Sequence, residues 1–223
     1  MLDVSSLPRV SRTLLRDTAY EALRDAIVRG ELTPGSHVRD ADLAEQLGLS
    51  RAPIRNALAR LADDGLVETK PQSYTRIAPL VLRDVREAAA VVRAMHELAT
   101  RTAVPMLTNA DVAAMRRANR RFKTATRKGD AVCAMTADDQ LHGVLVRACG
   151  NRAVAATIER YTPLIRRLEL RQFSASAAQR SVERHEQLIA ACASGDTDRA
   201  VSVTATIWQA LENLADDDLT TEE

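Results

Sequence analysis

The chain has 223 residues, of which 46% are hydrophobic and only 3% aromatic, and its formal net charge at pH 7 is +1. This length can bury one good core or two modest ones, and the abundance of alanine and leucine over glycine and aromatic residues predicts a mainly α-helical protein. A charge this close to neutrality excludes a global attraction to nucleic acid, so any affinity for DNA has to come from local patches.

The sequence predicts a cytoplasmic protein that has no membrane partner. No apolar run approaches the roughly 18 residues that a membrane-spanning helix needs, and the N-terminus lacks the apolar region of a signal peptide. Cys133, Cys149 and Cys192 are scattered and form no CxxC pair. This pattern favours reduced thiols that act as small core residues.

The N-terminal part is predicted to begin with one helix. Residues 1–11 are polar, and we expect them to be flexible. Between residues 14 and 29, apolar side chains recur at helical spacing and predict a helix that packs on the segment that follows. Gly30 and the Thr-Pro-Gly turn at residues 33–35 break it.

Two short helices follow at residues 40–65. Asp40 is predicted to cap the first, which ends at Gly48. Ser50 is predicted to cap the second, and Gly65 is placed to stop it. Three helices before a hairpin are what a winged helix-turn-helix requires.

The second of these short helices has two different faces. At about 100° per residue, one face is the apolar stripe of Ile54, Ala57, Leu58 and Leu61. The other face carries Arg51, Ala52, Arg55, Asn56 and Ala59. Arg51 and Arg55 lie four residues apart near the helix N-terminus, where arginine can hold phosphate or pair with guanine. The alternative is a solvated arginine face on an ordinary helical hairpin.

A small hairpin is predicted next, from two partly alternating runs at residues 66–70 and 74–78. Residues 30–68 contain a motif of residues at fixed spacings. These are Pro34-Gly35, Leu43-Ala44, Leu47-Gly48, Ser50-Arg51, Pro53, Arg55, Ala57-Leu58, Leu61 and Gly65-Leu66. This segment closely resembles the DNA-binding domain of GntR-family transcription regulators. The resemblance implies a winged helix-turn-helix over residues 12–78 that binds double-stranded operator DNA.

The candidate DNA contacts lie on the second short helix and around it. They are Arg39, Ser50, Arg51, Ala52, Pro53, Arg55, Asn56, Lys70 and Arg76. The wing departs from the family pattern, because Ser73 and Tyr74 stand where a basic residue and a glycine are usual. Arg76 stands where an apolar residue is common. These changes put a minor-groove contact of the wing tip in doubt, although Lys70 or Arg76 could still meet phosphate.

A second domain is predicted after a linker at residues 79–81. Residues 82–215 show helical patterns only, with predicted helices at 82–104, 109–128, 131–149, 152–172, 178–193 and 197–214. Pro163 should kink the fourth of these, and residues 216–223 are predicted to be a solvated acidic tail. The expected fold is mainly α, an N-terminal winged helix-turn-helix followed by an all-helical antiparallel bundle.

This second half resembles the FadR-type ligand-binding domain, often abbreviated FCD. The residues that carry the resemblance are Arg93 and Glu97, DDQLH at 138–142, CGN at 149–151 and HEQLIAACASGD at 185–196. It implies that the helical domain supplies homodimer contacts and binds a small-molecule effector, for example a carboxylate. The candidate effector-binding residues are Arg93, Asp138, His142 and His185. For Arg93, a surface pair with Glu97 four residues later is an equal explanation.

Asp138 and His142 lie four residues apart on the bundle-facing stripe, where a buried carboxylate and imidazole need partners. A local hydrogen bond between the two would satisfy them. The FCD resemblance instead implies a divalent metal held by this pair and two later histidines. His185 matches the first of those, but Ile207 stands at the second. Asp138, His142 and His185 could still bind zinc with open positions, and His96 is read as a core histidine.

The sequence therefore predicts a homodimeric transcription regulator, acting as a repressor, that binds a pseudo-palindromic operator and is switched by an effector. It is not expected to be an enzyme. Two alternatives stay open. One is an architectural DNA-binding protein with a vestigial bundle. The other is a metal-dependent enzyme that uses Asp138, His142 and His185, although no nucleophile or phosphate-binding loop accompanies them.

Overall fold

The computed structural model describes residues 12–71, 73–173 and 175–219. Within these ranges the chain is mainly α-helical with one two-stranded antiparallel sheet, as predicted. It divides into two compact units between Pro79 and Leu80. None of the described helices is long and apolar enough to cross a membrane.

The N-terminal unit is a winged helix-turn-helix. Its elements are α1 (Arg12–Val28), α2 (Asp40–Leu47), α3 (Arg51–Asp63), β1 (Val67–Lys70) and β2 (Tyr74–Ile77). The two strands pair in antiparallel register, with Glu68 opposite Arg76. Gly48 ends α2 in the left-handed conformation at φ 64°, which glycine adopts without steric cost.

The core of this unit lies between α1, α3 and the sheet. Ile54 and Leu61 of α3 are fully buried, together with Leu66 and Ile77 at the base of the wing. Tyr20 of α1 is buried and donates a hydrogen bond from its hydroxyl to Asp64. Because one face of α3 is packed into the core, the direction in which its opposite face points is fixed.

Two predicted helix caps differ from the structure. Arg39 occupies the N-cap position of α2, and Asp40 is the first helical residue. The prediction for Asp40 is wrong: it lies one residue inside the helix, and its carboxylate accepts hydrogen bonds from the Arg51 side chain. Ser50 does occupy the N-cap position of α3, but its side chain makes no capping hydrogen bond.

The second unit is a bundle of helices. They are α4 (Leu82–Ala103), a short 3-10 helix (Val104–Met106), α5 (Asn109–Lys128), α6 (Ala131–Cys149), α7 (Arg152–Arg171), α8 (Ala175–Ser194) and α9 (Thr197–Leu219). Helix α4 packs against α6, α7 and α9, and α5 packs against α6 and α8. The buried core includes Val92, Met115, Leu141, Leu188 and Trp208.

Several bounds and environments in this unit differ from prediction. Helix α9 continues to Leu219, so residues 216–219 belong to a helix and not to a separate tail. Residues 1–11 and 220–223, predicted to be flexible or solvated, lie outside the described residues. Cys192 is buried as expected, but Cys149 is only half-buried and Cys133 is exposed, because Cys133 lies in the first turn of α6 away from the core. Pro163 lies inside α7, which continues to Arg171.

Candidate functional site

The outer face of α3 is open to solvent. Arg51, Ala52, Arg55 and Asn56 are exposed, whereas the stripe that begins at Ile54 is buried in the core. The helical wheel drawn from the sequence therefore predicted correctly which face of α3 is buried and which is exposed. Between Gln46 and Ala62 the sequence contains no carboxylate, so no residue of this stretch offsets the charge of the arginines.

Arg60 lies on the opposite side of α3. Its guanidinium carbon is 3.7 Å from the centre of the Tyr20 ring, in cation-π geometry, and it faces Asp17 at 3.7 Å. Arg60 therefore contacts α1 and contributes to the packing of the N-terminal unit.

An open groove of about 940 Å³ runs between α3 and the wing. The basic residues that line it are His37, Arg39, Arg51, Arg55 and Lys70. All five are exposed. Basic side chains from α3, from the residue before α2 and from the wing therefore line the same groove.

Within this groove Arg51 is paired with Asp40. Arg51 Nη2 donates to the two carboxylate oxygens at 2.9 and 3.1 Å, and Nε donates to Oδ2 at 3.3 Å. Hydrogen bonding from Arg51 lowers the pKa of Asp40 below its ordinary value. Asp40 therefore stays ionised, and the arginine is held against α2. The exposed Arg55 contributes to the lowered pKa of Asp40 through its charge.

The wing offers a different arrangement. Arg76 pairs with Glu68 at 2.6 Å across the two strands, and its guanidinium carbon lies 5.2 Å from the centre of the Tyr74 ring. His37 meets the same ring edge-on at 5.5 Å. The charge of Arg76 is thus compensated within the hairpin, while Lys70 is exposed at the end of β1.

A cluster of possible metal ligands lies inside the bundle. Asp138 and His142 project from α6 and His185 from α8, and one donor atom from each lies within 4.8 Å of the others. All three residues are buried. His185 Nε2 is 3.2 Å from Asp138 Oδ1 without hydrogen-bond geometry, and His142 Nε2 is 3.7 Å from the same oxygen. A local hydrogen bond between Asp138 and His142 is therefore not formed.

Both imidazoles turn a ring nitrogen toward the same oxygen of Asp138. His185 Nδ1 lies 3.1 Å from Asn119 Oδ1, an amide oxygen that can only accept a hydrogen bond, and this contact turns Nε2 toward Asp138. Neither ring nitrogen of His142 has a hydrogen-bond partner among the described residues. Burial lowers the pKa of His142 to about 4, which keeps it neutral. Two imidazoles and a carboxylate oxygen are donors that fit a divalent metal with further positions open.

Arg166 of α7 is a member of the cluster that the sequence analysis missed. It bonds Asp138 Oδ2 at 2.5 Å, Asp139 at 2.6 Å and Glu169 at 2.6 Å. Burial raises the pKa of Asp138 while Arg166 lowers it, and the result lies well below the ordinary value. The ion pair uses Oδ2 and leaves Oδ1 facing the histidines. The one sequence signal was the spacing of Arg166 and Glu169 by three residues.

His96 and Trp208 close one side of the cluster. Their rings stack with centroids 4.2 Å apart and an interplanar angle of 13°, and His96 lies 5.6 Å from the His142 ring. Burial lowers the pKa of His96 well below its ordinary value. His96 is thus packed as a core histidine, and Ile207, buried beside Trp208 on α9, contributes no donor.

Arg93 is held by α9 rather than by its own helix alone. Its Nε lies 2.7 Å from Glu212 Oε1, and its Nη1 lies 3.9 Å from Glu97. The pair with Glu212 was not anticipated, because it joins residues far apart in the chain. Arg93 is half-buried, so its charge is largely balanced by these two carboxylates.

A winged helix-turn-helix with an exposed arginine face, followed by a helical bundle with a buried donor cluster, defines the class of DNA-binding regulators that carry a ligand-binding domain. Residues 15–77 match the model of bacterial regulatory proteins of the gntR family, and residues 84–210 match the FCD domain. The chain belongs to the GntR family of transcription regulators and carries an FCD domain.

Individual relatives agree with this membership. The chain is 36% identical over 149 residues to an HTH-type transcriptional regulator in the TAR-I ttuE-ttuC' intergenic region of Agrobacterium vitis, covering 66% of this chain and 83% of that protein. It is 31% identical to the "Probable D-xylose utilization operon transcriptional repressor" of Paenarthrobacter nicotinovorans over 65% of each chain. Escherichia coli McbR/YncC shares the fold, with a TM-score of 0.82 at 21% identity over 92% of this chain and 98% of that one.

Proposed function

We propose that this regulator reads its operator with the outer face of α3 and the groove beside it. The observation that carries the proposal is the fixed, solvent-open face of α3 that presents Arg51, Arg55 and Asn56. The proposed DNA contacts are Arg39, Ser50, Arg51, Ala52, Pro53, Arg55, Asn56, Lys70 and Arg76. Since the DNA of a bacterium lies in the cytoplasm, this is where the protein would act, and we propose that it acts there as a repressor.

We also propose that the protein is a homodimer, so that two copies of α3 meet the two halves of a pseudo-palindromic operator. Exposed apolar side chains on α4 support a contact between two copies. Val91 and Leu98 are 40% and 44% exposed, and their spacing of seven residues puts them on one face. Ala94, also exposed, lies between them. A self-complementary stripe of this kind suits a two-fold interface.

For the bundle we propose a divalent metal such as zinc, held by Asp138, His142 and His185. When bound, zinc would act as a Lewis acid toward an oxygen ligand. Ile207 supplies no fourth donor, so the open position suits a small effector carboxylate, and Arg93 is the proposed partner for the effector's charge. An effector that favours one bundle geometry would change the spacing of the two copies of α3 on DNA.

The test begins with protein purified without an affinity tag or chelator. Stoichiometric divalent metal is expected by mass spectrometry, and His142→Ala should lose it. His37→Ala, which removes an exposed histidine in the other unit, is the matched control and should retain the metal. A metal-free wild-type protein would contradict the proposed centre.

DNA binding is tested with a fragment selected by the wild-type chain from a randomised pool. Arg55→Ala should bind it more weakly. Loading the metal or removing it with a chelator should change the affinity of the wild-type chain. Selective binding that the metal leaves unchanged would favour an architectural DNA-binding protein with a vestigial bundle.

A further inference from the structure

Asp40 brings a carboxylate to a face that otherwise presents arginine. Its side chain is 24% exposed, whereas the Arg51 side chain that it holds is 66% exposed. A carboxylate in a groove meant for DNA would repel phosphate unless a cation neutralised it. The placement of Asp40 therefore calls for an explanation beyond charge attraction to DNA.

The atoms in contact supply that explanation. Asp40 engages Nε and Nη2 of Arg51, which form the side edge of the planar guanidinium. Arginine has five N–H donors in a rigid fork. The end edge, formed by Nη1 and the far hydrogen of Nη2, points away from the carboxylate. That edge has the geometry to bond guanine O6 and N7 together in the major groove.

We propose that Asp40 is a specificity-determining residue, which orients Arg51 so that its free edge reads one guanine in each half of the operator. This inference rests on the proposed reading of DNA by α3. Asp40 acts through Arg51 and is a positioning residue. Because Asp40 offsets the charge of Arg51, we assign base recognition to Arg51, and we assign phosphate binding to Arg55, which is exposed on the same face.

The experiment is selection from a randomised duplex pool by five full-length proteins, followed by sequencing. The proteins are wild type, Arg51→Ala, Asp40→Asn, Asp40→Glu and Asp42→Asn. Asp42 is the matched control, since it is exposed in the same first turn of α2. The wild type should select guanine at one position of each half-site, and Arg51→Ala should lose this preference.

Asp40→Asn should reduce the guanine preference at that same position by about fivefold or more, since a bidentate contact discriminates by at least this factor. Its affinity for random duplex should rise, because a negative charge is removed. Asp42→Asn should keep the wild-type preference. Asp40→Glu, which restores a carboxylate, should recover part of the preference, a result that a general loss of folding would not produce.

Each other outcome is decisive. Full guanine preference in Asp40→Asn, together with its loss in Arg51→Ala, would overturn the positioning role and leave DNA reading by α3 intact. Full preference in Arg51→Ala would overturn the assignment of Arg51 as a reader, and with it this inference. A wild-type chain that selects no sequence would overturn both the inference and the proposed function.

Discussion

Asn119 of α5 orients His185 of α8 through a buried 3.1 Å contact between Asn119 Oδ1 and His185 Nδ1. This contact fixes the orientation of the imidazole ring and directs Nε2 toward Asp138. A partner on the far nitrogen is the usual way in which proteins prepare a histidine for a metal. The orientation of His185 in the proposed metal site thus depends on α5, which supplies none of the three proposed ligands.

Replacing Asn119 should therefore weaken metal binding while leaving all three ligands in place. We expect Asn119→Leu to lower zinc affinity by about 10- to 100-fold, the range found when such supporting partners are removed. Equilibrium competition with a coloured chelator measures the change. Asn109→Leu, at the exposed start of the same helix, should bind zinc as the wild type does. Equal affinity in Asn119→Leu would show that the contact has no part in metal binding.

The pH dependence of the free energy of unfolding should show the raised pKa of Glu169. Burial raises its pKa to about 7 from 4.5, with Arg166 opposing. The stability associated with the neutral form is fully present below pH 4.5 and is lost as the pH rises to about 7, because the unfolded chain releases its proton first. The free energy of unfolding of Glu169→Gln, relative to wild type, should then rise by about 2 kcal/mol between pH 5 and pH 7.

Chemical denaturation of both proteins in chelator at the two pH values makes this measurement. Glu183→Gln, which changes an exposed glutamate on α8, should show no such difference. A constant difference between Glu169→Gln and wild type would mean that Glu169 is ionised in the folded protein over this whole range.

The salt dependence of DNA binding should distinguish Arg55 from Arg60, which lie on opposite sides of α3. Arg55 is exposed, and if it holds phosphate, Arg55→Ala should lower affinity for all duplexes. The slope of log affinity against log salt concentration should also fall by about 1. Arg60→Ala, on the inner side of α3, should keep the wild-type slope. Titrations by fluorescence anisotropy over a series of salt concentrations test this, and an unchanged slope in Arg55→Ala would argue against a phosphate contact.

The apolar stripe on α4 should control assembly. Leu98→Glu would place a charge in the proposed two-fold contact, where burying it is costly, so we expect a monomer at concentrations that keep the wild type dimeric. Light scattering after size-exclusion chromatography gives the mass. Val132→Glu, at a 42% exposed position on α6, should remain a dimer. A Leu98→Glu dimer would move the interface elsewhere.

Much of the architecture was predictable because its signals are local. Apolar residues at helical spacing marked the helices, and glycines marked several of their ends. The two faces of α3 and the shared stripe of Asp138 and His142 follow from the 3.6-residue repeat alone. Family motifs then related His185 to that pair. The cap assigned to Asp40 was wrong for the same reason, since local preference took no account of Arg51.

The amino-acid sequence by itself determined the helix periodicity, the winged helix-turn-helix and the residue types available for DNA and metal. Tertiary structure alone decided which charges meet. Arg51 reaches Asp40 across 11 residues, Arg166 reaches Asp138 across 28, and Asn119 meets His185 across 66. These partners lie on different helices, and a repeat along one helix carries no information about its neighbour. Packing brought them together, and the need to satisfy buried charge and hydrogen bonds joined them.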